Sequence, residues 1–213
     1  MAPNENVGTL DTGLGLAASR EGRIIDTVAQ TVSHVVSPPV VAVAGVFMAA
    51  GMDGRPTAWL AAAIFTALGV LVPMATLLQQ WRRGEVSDIE ITRRDQRQWP
   101  MLLTATCVGA AAIALQLTGA PPVVTGLASI LGVQSLVLLA ITLSWKISVH
   151  CTAAATFGGL LAVATGTALV ALAPVLLVAW SRLRLRRHTP LQCLGGSILG
   201  LSLMAVLWPL LAG

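Results

Sequence analysis

The stretch AWSRLRLRRHTPLQ, residues 179–192, separates two strongly apolar segments, and the rest of the chain is organised around it. It contains four of the 13 basic residues and one of the three histidines. Arginine is costly inside a bilayer but stable at its surface, where the long side chain reaches water. The stretch is therefore expected at a membrane–water interface, with apolar helices on both sides.

The composition excludes a soluble globular domain. Of the 213 residues, 55% are hydrophobic and only 10% are charged, whereas soluble domains carry about 25% charged residues. The apolar runs predict an all-α, multi-spanning membrane helix bundle of about six to seven transmembrane helices. Residues 1–23 are expected to form a mobile polar tail, and a short interfacial helix should begin at Ile24. Residues 24–213 are expected to form a single membrane-embedded domain.

Three polar clusters interrupt the apolar runs, at residues 79–99, 146–150 and 181–192. Two spans are predicted between each cluster and the next, so all three clusters should face the same side of the membrane. Tryptophans at the ends of several spans fit an interfacial aromatic belt. Arg55 is the only basic residue assigned to the opposite side. The positive-inside rule then predicts a cell-membrane protein whose clusters face the cytoplasm.

The side chains in these clusters suit phosphate chemistry. Arginine donates bidentate hydrogen bonds to phosphate oxygens and stays charged. Histidine acts as a nucleophile or a proton donor near neutral pH, and His150 and His188 lie in two different clusters. The simpler interpretation of the arginines is an interfacial anchor, and that alternative stays open on composition alone. His34, just ahead of Pro38, is expected to be structural.

The spacing in residues 181–192 resembles a motif of the type 2 phosphatidic acid phosphatase superfamily, the membrane relatives of vanadium haloperoxidases. In that family the motif is Ser-Arg, five residues, His, three residues, Asp. The matching positions here, with Gln in place of the Asp, are Ser181, Arg182, His188 and Gln192. A second family motif, Pro-Ser-Gly-His, is represented by Ser148 and His150, with Val149 in place of the glycine.

The family's first motif, which is Lys, six residues, then Arg-Pro, is only approximated. Arg97 is the candidate arginine, although two residues separate it from Pro100. Glu90 occupies the lysine position, so Arg93 or Arg94 would have to replace the lysine. The three motifs together extend from residue 90 to residue 192, about half of the chain.

The resemblance implies a role for each matching position. His188 would be the nucleophile that forms a phosphohistidine, and His150 the acid that protonates the leaving group. The phosphate-binding side chains would be Arg97, Arg182 and Ser148, with Lys146 and Arg93 as additional contacts. Gln192 would fix the His188 tautomer through its carbonyl oxygen, but it lacks the negative charge of the family's Asp.

The sequence therefore predicts a lipid-phosphate or prenyl-diphosphate phosphatase, a hydrolase that needs no metal or other cofactor. Because Gln192 and Val149 depart from the family pattern, a second reading is an enzyme that ionises a prenyl diphosphate for cyclisation or prenyl transfer. That reading would require Mg²⁺, for which Asp88 and Glu90 are the candidate ligands. The third reading is a non-catalytic binder of anionic lipids. All three have a lipid substrate or ligand and the bilayer as partners, and none involves nucleic acid.

Overall fold

The computed structural model describes residues 7–88, 93 and 96–212, with side chains described from residue 21 onward. All regular structure in this part of the chain is helical. The helices are α1 (Val7–Val35), α2 (Pro38–Asp53), α3 (Pro56–Phe65), α4 (Val72–Arg82), α5 (Gln98–Leu117), α6 (Pro122–Ser144), α7 (Val149–Thr165), α8 (Leu172–Arg184) and α9 (Pro190–Leu211).

Proline and glycine set many of the helix limits. Proline stands in the first turn of α2, α3, α6 and α9, where its missing N–H costs nothing and its fixed φ suits a helix start. Gly54 and Gly166 follow α2 and α7 with φ of 78° and 68°, the left-handed conformation that glycine adopts without strain. The sequence therefore specifies both where the apolar helices begin and where they end.

In the described part of the chain, four helical segments are long and apolar enough to cross a membrane. They are Pro56–Arg82, Gln98–Leu117, Pro122–Ser144 and Pro190–Leu211. A fifth span results if Glu21–Val35 and Pro38–Asp53, which meet at a bend of 49°, are counted as one. The segment α7 has 17 residues, fewer than the about 20 that a perpendicular span needs. The structure is that of a helical membrane protein, and the expected six to seven spans are not confirmed.

The N-terminal helix α1 differs from the sequence-based expectation. It begins at Val7, so it includes most of the segment expected as a tail and extends well ahead of Ile24. Several contacts join α1 to α8. Among them, Ser181 Oγ donates to the Ala29 carbonyl oxygen at 2.7 Å, and Arg184 Nε lies 2.8 Å from Asp26 Oδ1. The serine of the Ser-Arg motif therefore holds a helix in place.

A π-helical segment, Thr66–Leu71, connects α3 to α4 without a break in the helix. Its cause is Pro73, which has no N–H and whose ring would collide with the carbonyl of residue 69 in a regular α-helix. Widening the turn relieves this collision. The same segment places Gly69 and Val70 at the wall of the main cavity.

The closest helix packing brings two of the sequence motifs together. In α9, Gly196 and Gly200 are spaced as in a GxxxG motif, which allows close approach of helices in a membrane. A Cβ on Gly196 would lie 2.5 Å from the Ser148 carbonyl oxygen, so only glycine fits there. Just beyond the N-terminus of α7, the Ser148 N–H donates to the Gln192 carbonyl oxygen at 3.3 Å. The starts of α7 and α9 are thereby held side by side.

Candidate functional site

A cavity of about 490 Å³ lies among α2, α4, α5, α6 and α7. Most of its wall is apolar. Its polar end includes four basic side chains that the sequence analysis assigned to the site: Arg97, His150, Arg182 and His188. All three polar clusters of the sequence thus contribute to a single site, which has a cationic end and an apolar body.

Two of the four side chains are buried guanidinium groups. Arg97 precedes the first turn of α5 and is 6% exposed, and Arg182 lies in the last turn of α8 and is 2% exposed. Arg182 Nη1 donates to Ser33 Oγ of α1 at 2.6 Å. Guanidinium groups donate charge-assisted, bidentate hydrogen bonds to phosphate oxygens. A cavity end that contains both groups is therefore suited to binding an anion.

His188 reaches the cavity through an unusual turn at the end of α8. The Arg187 N–H donates to the Arg182 carbonyl and the Arg186 N–H to the Leu183 carbonyl, both at 3.0 Å. This is a Schellman pattern, which normally has glycine at the left-handed position. Here Arg186 occupies that position with φ 53°, at a cost of about 1–2 kcal/mol for a residue with a Cβ. The strained turn reverses the chain so that His188 meets the cavity.

Gln192 determines the tautomer of His188. Thr189 and Gln192 form a capping box at the start of α9, in which Gln192 Oε1 accepts from the Thr189 N–H at 3.1 Å. The oxygen of the amide must face this N–H, because an amide nitrogen cannot accept a hydrogen bond. The same oxygen lies 3.1 Å from His188 Nδ1, so Nδ1 carries the proton. The lone pair is then on Nε2, the other ring nitrogen of this cavity-lining residue.

Burial and positive charge keep the His188 imidazole neutral. Burial lowers its pKa from 6.5 to about 4, the Gln192 hydrogen bond opposes this shift, and the positive charges of Arg182, Arg97 and Lys146 add to it. The pKa of Lys146 is also lowered, by burial and then by Arg97, Arg182 and Arg187. Lys146 therefore belongs to the same positive field, although its side chain does not line the cavity.

His150 lines the cavity from the first turn of α7. Ser148, which the resemblance implies as a phosphate ligand, is placed differently. It is fully buried, it is the N-cap of α7, and its Oγ accepts from the Cys151 N–H at 3.3 Å. Serine is a preferred N-cap because its oxygen satisfies an otherwise unpaired helix N–H. The Ser148 side chain thus caps α7 and does not line the cavity.

The remaining expected site residues lie outside the cavity wall. Arg93 is exposed and is not among the residues that line the cavity. Asp88 is half-buried and also outside it, while Glu90 and Arg94 lie outside the described residues. Among the described residues, no three His, Cys, Asp or Glu side chains are grouped as a metal site would require.

Sequence reasoning missed several polar side chains of the cavity wall. His34 was expected to be structural, but it lines the cavity at the cationic end beside Ser33. Deeper in the wall, Gln134 of α6 accepts a hydrogen bond from the Thr156 hydroxyl of α7. A glutamine in the middle of an apolar run is the signal that identifies this second position, since polar groups at membrane depth tend to be functional.

No protein-family model matches the chain, and no curated protein or solved structure matches it.

Proposed function

We propose that this protein is a membrane hydrolase that releases phosphate from a lipid phosphate or prenyl diphosphate, with His188 as the nucleophile. The observation that carries the proposal is the pairing of His188 Nδ1 with Gln192 Oε1 at 3.1 Å. It leaves a neutral Nε2 with a free lone pair at the cationic end of an apolar cavity. A nucleophilic histidine in a phosphoryl-transfer enzyme needs that protonation state.

The chemistry follows from the positions of the basic groups. Arg97 and Arg182 bind the phosphoryl oxygens and stabilise the charge that develops in the transition state. As the bond from His188 Nε2 to phosphorus forms, the bond to the leaving oxygen breaks, and His150 gives that oxygen a proton. The negative phosphoryl group favours the protonated form of His150. Water then attacks the phosphohistidine, returns a proton to His150, and releases inorganic phosphate.

The orientation is also part of the proposal. The cationic end is placed at the cytoplasmic surface of the cell membrane, because the basic residues concentrate on that side. The apolar body of the cavity would then lie within the bilayer, where it takes the hydrocarbon part of the substrate. No metal ion is required for these steps.

The test is incubation of the purified protein with a panel of prenyl diphosphates and lipid phosphates, with products identified by mass spectrometry. Phosphate release that is lost in His188→Ala supports the proposal, and unchanged turnover in that variant refutes it. Two arginines of α8 provide a matched pair. Arg182→Gln should abolish turnover, whereas Arg184→Gln, which changes an exposed side chain, should retain it.

The same panel separates the alternatives. A cyclic hydrocarbon or a prenylated acceptor, formed only with Mg²⁺, would indicate ionisation of a prenyl diphosphate; the observation that favours this reading is the neutral Gln192 at the position of the family's carboxylate. Binding without turnover, sensitive to Arg97 and Arg182, would indicate a non-catalytic lipid binder.

A further inference from the structure

The helix α7 runs along the cavity and provides a measure of its depth. His150 lies at the cationic end, and Ala153, Thr156, Phe157 and Leu160 line the wall beyond it. This spacing keeps one face of the helix against the cavity. The ten residues from His150 to Leu160 correspond to about 15 Å at the rise of an α-helix.

The cavity is closed at its far end. The side chains there are Phe65, Leu127 and Leu160, which are 0%, 2% and 0% exposed. All three also belong to the main hydrophobic core of the protein. A chain that enters from the cationic end therefore meets packed side chains at this depth, and it has no continuation into the surrounding lipid there.

Gly45 of α2 forms part of this closed end. A Cβ at Gly45 would lie 3.5 Å from Leu127 Cδ2, 3.6 Å from Leu160 Cδ2 and 3.8 Å from a Phe157 ring carbon. These are ordinary contact distances, so close helix packing does not demand a glycine here. Glycine in a helix interior costs about 1 kcal/mol relative to alanine. What the missing side chain provides is space at the end of the cavity.

The depth also bears on the length of the occupant. An extended carbon chain advances roughly 1.2 Å per bond, so about 12 main-chain carbons fill the depth.

We infer that the substrate carries one methyl-branched chain of about three prenyl units, and that Gly45 sets the limit on its length. The inference rests on the proposed function and specifies its substrate class. A three-unit prenyl chain has 12 main-chain carbons, which match the depth of the cavity. Longer prenyl chains would meet the packed side chains of the closed end.

The first experiment compares diphosphates that have two, three and four prenyl units, with dodecyl phosphate and a dioleoyl phosphatidate alongside. We expect the highest kcat/KM for three units. The kcat/KM for the four-unit substrate should be lower by about tenfold or more, which is the size of effect that a hydrophobic pocket produces for a group that does not fit. Equal use of three and four units, or preference for the phosphatidate or the dodecyl phosphate, would overturn the inference.

The second experiment changes the closed end. Gly45→Ala and Gly45→Leu should move the preference toward two prenyl units in steps, because each added side chain shortens the cavity. The control is Gly109→Leu, the same substitution in α5 at a position where a Cβ meets nothing within 4 Å. Gly109→Leu should keep the wild-type preference. A Gly45 series with the wild-type preference would refute the role of this residue.

Binding separates this inference from the proposed hydrolysis. His188→Ala protein should be stabilised against heat most strongly by the three-unit diphosphate, and the Gly45→Ala substitution in that background should shift the preference. If wild-type protein releases no phosphate yet shows this binding order, the hydrolysis is wrong and the chain-length inference stands. If the wild-type protein releases phosphate at a rate that does not depend on chain length, the hydrolysis stands and the chain-length inference is wrong.

Discussion

Replacing Gln192 by Glu tests the pairing on which the proposed nucleophile depends. Glutamate has the same length as glutamine and is equally suited to the third helical position of a capping box. The Thr189 N–H therefore keeps its acceptor, and α9 should begin as in the wild type. The change that remains is a negative charge at the atom that lies 3.1 Å from His188 Nδ1.

The size of the effect follows from that distance. Two opposite charges 3.1 Å apart attract by about 5 kcal/mol at an effective dielectric constant of 20. Part of this is lost in burying the carboxylate, and a single opposite charge typically shifts a pKa by about 1–3 units. The His188 pKa should rise from about 4 to roughly 5–7. Because attack on phosphorus leaves a positive imidazole, kcat should increase about tenfold for each 1.36 kcal/mol gained.

Two measurements check this prediction. Nuclear magnetic resonance of selectively labelled histidine in detergent micelles gives the His188 titration, and single-turnover phosphate release gives the chemical step. Gln192→Met, which keeps the length but removes the acceptor, is the control and should lose activity. A Gln192→Glu protein with an unshifted titration and an unchanged rate would refute the assigned contact.

The remaining predictions address the pH response, the turn, the cap and the cavity wall. The pKa of His188 in the folded protein, about 4, is below its ordinary 6.5, so the ring should stay neutral down to about pH 4 in an NMR titration. The stability that depends on a neutral His188 is complete above pH 6.5 and is lost as the pH falls toward 4. Arg186→Gly should be more stable than Arg186→Ala by about 1 kcal/mol in the free energy of unfolding, because only glycine is unstrained at φ 53°. Thermal unfolding of the two variants measures this difference. Ser148→Ala should cost about 1 kcal/mol in thermal unfolding and leave phosphate release per folded molecule close to wild type. A double-mutant cycle of Gln134→Leu and Thr156→Val should give a coupling of about 0.6–2 kcal/mol, and additivity would exclude the hydrogen bond.

The sequence predicted which basic residues meet because the argument depended only on helix connections. Each pair of polar clusters is separated by two apolar segments, and a chain that crosses twice returns to the side from which it left. Arg97, His150 and Arg182 indeed line one end of one cavity. The segments between the second and third clusters, α7 and α8, have 17 and 13 residues. Neither is among the described helices long enough to cross a membrane, yet together they return the chain to the same end of the cavity.

Local hydrogen bonding explains why the two serines of the motifs do not line the cavity. Ser148 carries the motif position of a phosphate ligand, yet a serine directly before a helix competes for the free N–H groups of its first turn. Ser181 is similarly used by the Ala29 carbonyl of α1. A linear motif records that a hydroxyl is present, but its partner depends on which backbone group lies nearest in the folded protein. The packing of α1 on α8 is such a long-range feature, and the sequence pattern contains no signal for it.

The same reasoning changes the meaning of Gln192. By comparison with the family motif alone, Gln192 is a neutral amide at a position where a charged carboxylate is expected. In the structure its oxygen accepts from both the Thr189 N–H and His188 Nδ1, so one atom starts α9 and orients the nucleophile. Aspartate is one methylene shorter, and the capping box favours Glu or Gln at this position. Burial and three positive charges lower the His188 pKa, and the Gln192 hydrogen bond opposes them only in part. The ring therefore stays unprotonated well below neutral pH, and the proposed nucleophile is available there although it is less basic.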